Sequence, residues 1–282
     1  MSDVAEGITE DTLLGGRVRL LQPARGHRAG TDAVLLAAAA PVRPGDLVID
    51  VGAASGAVGL MIAARVAAAL VFVERDPALA GLCRRNAGLN GTDGRIVVAD
   101  VLAPTLAASG RTHGSADGLD RSLTASGLSH GSADGLDRAS STSALAREIA
   151  DVVVTNPPFL EEGETRISPD SARAAAHVLP PGGLERWLRA CSELLKPRGA
   201  LALIHRADRL GECLGPLSRG FGGQRLRFVH PRADRPATRV LITAVKGSRA
   251  PLVVAPPVIL HDEAGRFTPE AEALHRGDRT LS

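Results

Sequence analysis

The chain has 282 residues, 33 Lys and Arg against 31 Asp and Glu, and 44% hydrophobic residues, which suits one ordinary domain, with at most a small appendage, whose core needs no staples. Three scattered cysteines, Cys83, Cys191 and Cys213, exclude a disulfide scaffold and give no metal-ligand spacing, so neither a metal nor thiol redox chemistry is expected. The acidic start MSDVAEGITEDT is unlike a secretory signal and no apolar run is long enough to span a bilayer, so a cytoplasmic protein without a membrane partner is expected.

Residues 1–40 open polar, and Asp32 to Ala40 reads as a short helix. The turn Val42 to Asp46 feeds an alternation of apolar runs and helical patterns: a strand at Leu47 to Val51, a helix at Ala57 to Ala68, a strand at Leu70 to Val73, a helix at Pro77 to Asn90 and a strand at Ile96 to Ala99. That order is a parallel βαβαβ half. A strand at Ile149 to Thr155, a helix at Gly183 to Leu195, a stop at Lys196 to Gly199 and a strand at Ala200 to His205 continue it. A further helix after Arg209 precedes two strands, Leu226 to His230 and Val240 to Lys246, which read as a late hairpin closing the sheet. The fold class is therefore α/β, doubly wound and Rossmann-like, with seven strands, mostly parallel, and a late antiparallel one. The tail 251–282 is expected to pack on the surface of the 41–250 domain.

One stretch departs from this pattern. Ser109 to Ala125 and Ser126 to Thr142 are imperfect copies of each other, with GSADGLDR at both 114–121 and 131–138. This Gly/Ser/Asp composition has little apolar surface to offset the entropy of ordering, and its spacing matches no calcium loop, so 109–142 is read as a disordered insertion. Basic residues bunch at Arg17, Arg19, Arg25, His27 and Arg28 and again between Arg225 and Arg239, but a net charge of +2 does not by itself announce a polyanion partner. Five Phe, one Trp and no Tyr disfavour a binder that stacks bases along an aromatic sheet, and leave open a catalyst that handles one base at a time.

Four features carry chemistry. VIDVGAASGAVG, Val48 to Gly59, sits where a strand gives way to a helix, and glycines there let a ligand approach backbone N–H groups. Glu74 ends the next strand and suits a ribose diol, because Asp76 is free to cap the following helix. Asp100 follows the third strand, so Asp50, Glu74 and Asp100 should converge outside the carboxyl ends of the sheet around a nucleoside-containing cofactor. After the apolar strand Val152 to Thr155 comes Asn156-Pro157-Pro158-Phe159. The two prolines force the chain out of the sheet in a rigid turn, which fixes the Asn156 side-chain and Pro157 backbone carbonyls as acceptors for an amine beside the flat face of Phe159. No Ser-His-Asp set, phosphate-binding Gly-Lys-Ser/Thr loop or metal cluster competes.

These motifs resemble those of class I S-adenosylmethionine-dependent methyltransferases, in the branch with an Asn-Pro-Pro-aromatic signature. Gln22-Pro23, the run Gly30 to Ala37, Ala172 to His177 and Gly265 to Glu270 narrow the resemblance to the tRNA1(Val) adenine-37 N6-methyltransferase family. The resemblance implies that S-adenosyl-L-methionine is the cofactor, with Gly52, Ser55 and Gly56 lining its methionine end, Glu74 on the ribose, Asp100 on the adenine amino group, and Asp50 and Asn156 also among the residues that bind it. It implies that Asn156, Pro157, Pro158 and Phe159 receive the amine of a tRNA adenine, and that residues 1–40, with Arg25, Arg28 and Asp32, form part of the substrate face. Guanine N2 in ribosomal RNA and a protein glutamine amide suit the same acceptor geometry, and a non-catalytic RNA-binding relic of the fold is the rival of a different class. Two departures stand out: Ala54 occupies a usual glycine position, where its Cβ would crowd the cofactor loop at positive φ, and Val178 follows His177 where many relatives have Glu.

Overall fold

A computed structural model describes residues 7–25, 28–103, 147–161 and 178–281. The repeat at 109–142 and the segment 172–177 lie outside the described residues. The chain opens with a hairpin of β1 (Ile8–Leu13) and β2 (Val18–Pro23), followed by α1 (Thr31–Ala39), β3 (Leu47–Val51), α2 (Ala57–Ala63), β4 (Ala69–Glu74), α3 (Pro77–Leu89) and β5 (Gly94–Val98). The second half holds β6 (Ala150–Thr155), the two-residue pieces β7 (Leu160–Glu161) and β8 (Val178–Leu179), α4 (Gly183–Leu194), β9 (Leu195–Arg206) and α5 (Leu210–Leu217). It ends with β10 (Phe221–His230), β11 (Arg239–Lys246), β12 (Val253–Val254), β13 (Val258–Ile259) and α6 (Pro269–Arg276).

The main sheet runs β12-β10-β11-β9-β6-β3-β4-β5, with β13 beside β10. Strand β11 is antiparallel to both neighbours, and every other pairing in this sheet is parallel. Its seven long strands are the mostly parallel set with one late antiparallel member that the sequence predicts. The central strands are apolar on both faces because both faces are covered. Val48, Phe72, Val152, Val154 and Ile204 join α1 and α2 in one core, while Ile49, Val51, Val73, Val153 and Leu203 join α4 in the other. Helix α1 is buried from Ala33 through Ala39 and so carries no polar stripe.

Several boundaries differ from the sequence reading. The polar start holds the β1–β2 hairpin, whose tight turn uses Gly15 and Gly16 at φ +63° and +92°. Helix α2 stops at Ala63, not Ala68, because the chain must return to the start of β4: Gly45 N–H donates to the Ala67 carbonyl and Ala69 N–H to that of Asp46. The expected stop at 196–199 is instead an excursion within β9, across which the pairing partner of β6 jumps from Leu195 to Ala200. Strand β10 begins at Phe221, five residues before the expected Leu226, with an irregularity between Gly222 and Arg225.

The hairpin is fixed to the site by two asparagines one turn apart. Asn86 Oδ1 accepts from Leu21 N–H at 2.7 Å and its Nδ2 donates to the Leu21 carbonyl at 2.8 Å, while Asn90 exchanges the same pair of bonds with Arg19 at 2.9 and 2.7 Å. The amides thus act as a substitute strand for the β2 edge. Asn86 Nδ2 also donates to the Ser55 carbonyl, which ties the hairpin to the glycine-containing turn. At the other end of the chain, Val258, Leu274 and Leu281 enter the core that α1 occupies.

Candidate active site

The turn after β3 is built around residues that only a small or absent side chain allows. Gly52 and Ala53 both donate N–H to the Val73 carbonyl, at 2.9 and 3.0 Å, so the β3–β4 connection persists past the strand end. Gly52 takes φ +73°, and a Cβ there would stand 3.0 Å from the Trp187 ring. Ala54 takes φ +48°, the crowded conformation that the sequence comparison with glycine-bearing relatives put at issue, at a cost of about 1–2 kcal/mol for an L-residue. The Glu74 carboxylate holds it there by accepting from Ala54 N–H at 2.8 Å. Its other oxygen accepts from Asp76 N–H at 2.9 Å, and Asp76 caps α3 through Ala78 and Leu79 N–H, so the cap is separate from Glu74. Ala54→Gly is expected to raise stability by about 0.5–1 kcal/mol in denaturant titrations, since the relieved strain exceeds the added unfolded-state entropy. A loss of stability would show that the loop needs the methyl group.

The expected acidic residues flank a two-lobed crevice at the carboxyl ends of the strands. One lobe, of about 220 Å³, is lined by Glu74, Asp100, Pro157, Pro158 and Trp187, among others. The other, of about 290 Å³, is lined by Arg28, Thr31, Asp32, Asp50 and Ser55. Gly52, Ala54, Asn156 and Phe159 line both and form the waist between them. Asp50 is buried, and burial pushes its carboxyl up to about 7; Gly59 N–H, donating to Oδ2 at 3.0 Å, opposes that shift, and the neighbouring charge of Glu74 adds to it. Gly56 lines neither lobe, because its open side faces Cys83, and Arg25 is an exposed residue outside both. Arg28 reaches the second lobe while paired with Asp11 at 2.7 Å.

At the waist, Asn156 Oδ1 is buried and has no hydrogen-bond partner among the described residues. An unpaired buried acceptor is costly, which points to a donor that arrives with a ligand. The strand beneath it is locked: Thr155 Oγ1 donates to the Val51 carbonyl at 2.8 Å and accepts from Trp187 Nε1 at 2.9 Å. Phe159 is held from outside the motif. His205 meets its ring at 5.3 Å and 89°, and the Arg239 guanidinium lies 4.9 Å from its centroid while donating to Asp32 at 2.9 Å. Burial pushes the His205 imidazole down to about 4, so it is neutral at physiological pH.

Thr155, Trp187, His205 and Arg239 were not singled out by the sequence. Trp187 counted as one more apolar residue on the inner face of α4, although its being the sole tryptophan was a usable signal. Arg239 lay within a basic cluster, and its link to Asp32 spans 207 residues. Among the described residues no group of three or more His, Cys, Asp or Glu is placed to hold a metal, and no helix is long and apolar enough to cross a membrane.

No family model matches the chain. It is 30% identical over 257 residues to the tRNA1(Val) (adenine(37)-N6)-methyltransferase of Porphyromonas gingivalis, covering 86% of this chain and 85% of that protein. To the protein of the same name from Aeromonas hydrophila it is 28% identical over 226 residues, covering 78% and 77%. Its structure is similar to the crystal structure of a predicted O-methyltransferase from Agrobacterium tumefaciens, with a TM-score of 0.62, 26% identity, and coverage of 89% of this chain and 98% of that one.

Proposed function

The chain belongs to the tRNA1(Val) (adenine(37)-N6)-methyltransferase family, and from that premise we propose that it methylates the N6 amine of an adenine in tRNA, position 37 of tRNA1(Val), using S-adenosyl-L-methionine. Its fold is the class I methyltransferase fold, Rossmann-like with a late antiparallel strand. The observation that carries the reading is the buried Asn156 Oδ1 at the waist of the crevice, an acceptor for which the described residues supply no donor.

The residues present fit the cofactor. Glu74 lies in one lobe with an unused lone pair on each oxygen for a ribose diol, Asp100 lies beside it for the adenine amine, and Asp50 and Ser55 serve the methionine end in the other lobe. When bound, the cofactor supplies a methyl group on a sulfonium. Asn156 Oδ1 and the Pro157 carbonyl accept from the substrate amine, which draws the nitrogen lone pair out of conjugation with the ring and aims it across the waist. Phe159, braced by Arg239 and His205, offers the planar surface against which the base is oriented. No strong base is needed before attack, because the amine proton becomes acidic as positive charge develops on nitrogen. The reading is tested by incubating the protein with tritiated S-adenosylmethionine and transfer RNA and identifying the labelled nucleoside. N6-methyladenosine is expected; label on guanine, on protein or nowhere would overturn it.

Asp50 gives the site a pH dependence. Its folded-state value of about 7 lies above its ordinary 3.8, so its contribution to stability is full below about 3.8 and is lost as pH rises to about 7. The cofactor carries positive charge, which favours the ionised form, so its affinity is expected to rise as pH climbs through about 7 and then level off. The sole tryptophan, Trp187, lines the Glu74 lobe, and quenching of its fluorescence would report binding. In Asp50→Asn the affinity should be lower and flat across that window. An unchanged pH profile in the variant would remove Asp50 from this role.

A further inference from the structure

Beyond the crevice, His261, Phe267 and His275 form a column of near-parallel rings: His261 and Phe267 lie 5.0 Å apart at 17°, and Phe267 and His275 lie 4.4 Å apart at 27°. Phe267 is 41% exposed and is the one exposed phenylalanine of the chain's five. A short reversal keeps it outward, with a bridge between His261 and Phe267 and Gly265 at φ +78°. An imidazole stacks on each side of Phe267, so its exposure lies at the ring edge, and the column can be extended only from the outer face of an end imidazole; His261 and His275 are both partly exposed.

The column is joined to the crevice at one end and to a basic loop at the other. His275 Nδ1 lies 2.8 Å from the Ala271 carbonyl, which can only accept, so Nδ1 carries the proton; Nε2 then accepts from the Thr31 hydroxyl at 3.2 Å. Thr31 lines the same lobe as Asn156 and Phe159. At the far end, His261 Nδ1 lies 3.1 Å from the Pro231 carbonyl, and Pro231 is followed by Arg232 and Arg235, whose side chains are 42% and 58% exposed. Each reaches Asp234 only at 3.9 or 3.6 Å, a loose pairing in solvent that leaves their charge available.

We propose that this column is a stacking platform for the unpaired nucleobase next to the target adenine, with Arg232 and Arg235 meeting the phosphates beyond it. The proposal rests on the RNA reading of the active site. Drawing one base into the crevice strips a neighbour of its stacking partner, and a flat π surface one hydrogen bond from the crevice wall replaces that partner. Flat rings flanked by cations suit a nucleotide, whereas an apolar peptide needs a concave groove for alternate side chains. Stacking tolerates any base, so the platform adds affinity and register without adding sequence preference.

The test uses the full chain and an anticodon stem-loop RNA carrying a fluorescent 2-aminopurine beside the target adenine, on each side in turn. With the wild-type protein, the fluorescence at one of the two positions is expected to change on binding, and Phe267→Leu, which keeps apolar bulk but loses the ring, should abolish the change and raise the RNA dissociation constant about tenfold. Phe267→Tyr should restore both, and an unaltered Trp187 response to S-adenosylmethionine shows that each variant is folded. If Phe267→Leu binds the RNA as tightly as wild type, or neither 2-aminopurine position responds, the platform is overturned while the active-site reading stands. If the wild-type protein methylates neither the stem-loop nor whole transfer RNA, the reading of the active site fails and the platform fails with it.

Discussion

Asn156→Ala is expected to lower single-turnover methyl transfer by about two orders of magnitude or more while leaving S-adenosylmethionine affinity near that of the wild type. The magnitude is that of losing a preorganised polar contact whose full strength is felt only in the transition state. The structure sharpens the expectation, because Asn156 Oδ1 makes no hydrogen bond among the described residues. Removing it therefore breaks no bond of the fold, and the melting temperature should stay level or rise, since a buried acceptor without a partner is itself destabilising. A folded Asn156→Ala protein with wild-type single-turnover rates would exclude the amine-acceptor role.

Glu74→Ala should raise the dissociation constant for S-adenosylmethionine by about tenfold to a hundredfold, because two hydroxyl groups of the ribose lose their acceptor at about 1–3 kcal/mol. The hydrogen bonds from Ala54 and Asp76 add a second consequence. Ala54 sits at φ +48° with that carboxylate as its tether, so the truncated variant should also loosen the turn and lower the melting temperature. Glu74→Gln separates the two effects. It keeps one carbonyl acceptor but turns an N–H₂ group toward the other backbone N–H, so binding and stability should fall between wild type and Glu74→Ala. Trp187 fluorescence and thermal melts measure both quantities on one sample. Equal cofactor affinity in all three proteins would remove Glu74 from the ribose.

The same two residues mark how far local sequence reaches. Asn156 is recognisable because two prolines after an apolar strand admit few conformations, and Glu74 because an acidic residue at a strand end beside a separate helix cap, Asp76, is left over for a ligand. Strand positions in the sheet centre were legible for a similar reason: burial on both faces demands continuous apolar runs, as in Val152 to Val154. The hairpin at Ile8 to Pro23 was missed although Val18, Leu20 and Gln22 alternate inward, because its outer edge is closed by the Asn86 and Asn90 side chains on α3, partners that lie far along the chain.

What the sequence determined by itself is what depends on neighbours along the chain: the alternation of strands and helices, the late antiparallel strand, and the residue types presented at successive strand ends. The tertiary structure decided the rest, because it depends on residues distant in sequence meeting across the sheet. It placed Trp187 against Gly52, where a Cβ would stand 3.0 Å from the ring, and joined Arg239 to Asp32 and Phe159. It left Asn156 Oδ1 without a partner among the described residues and held Ala54 at a positive φ through Glu74. Backbone conformation at a non-glycine residue and the pairing state of a buried atom are set by the whole packed environment, and no local run of residues encodes either one.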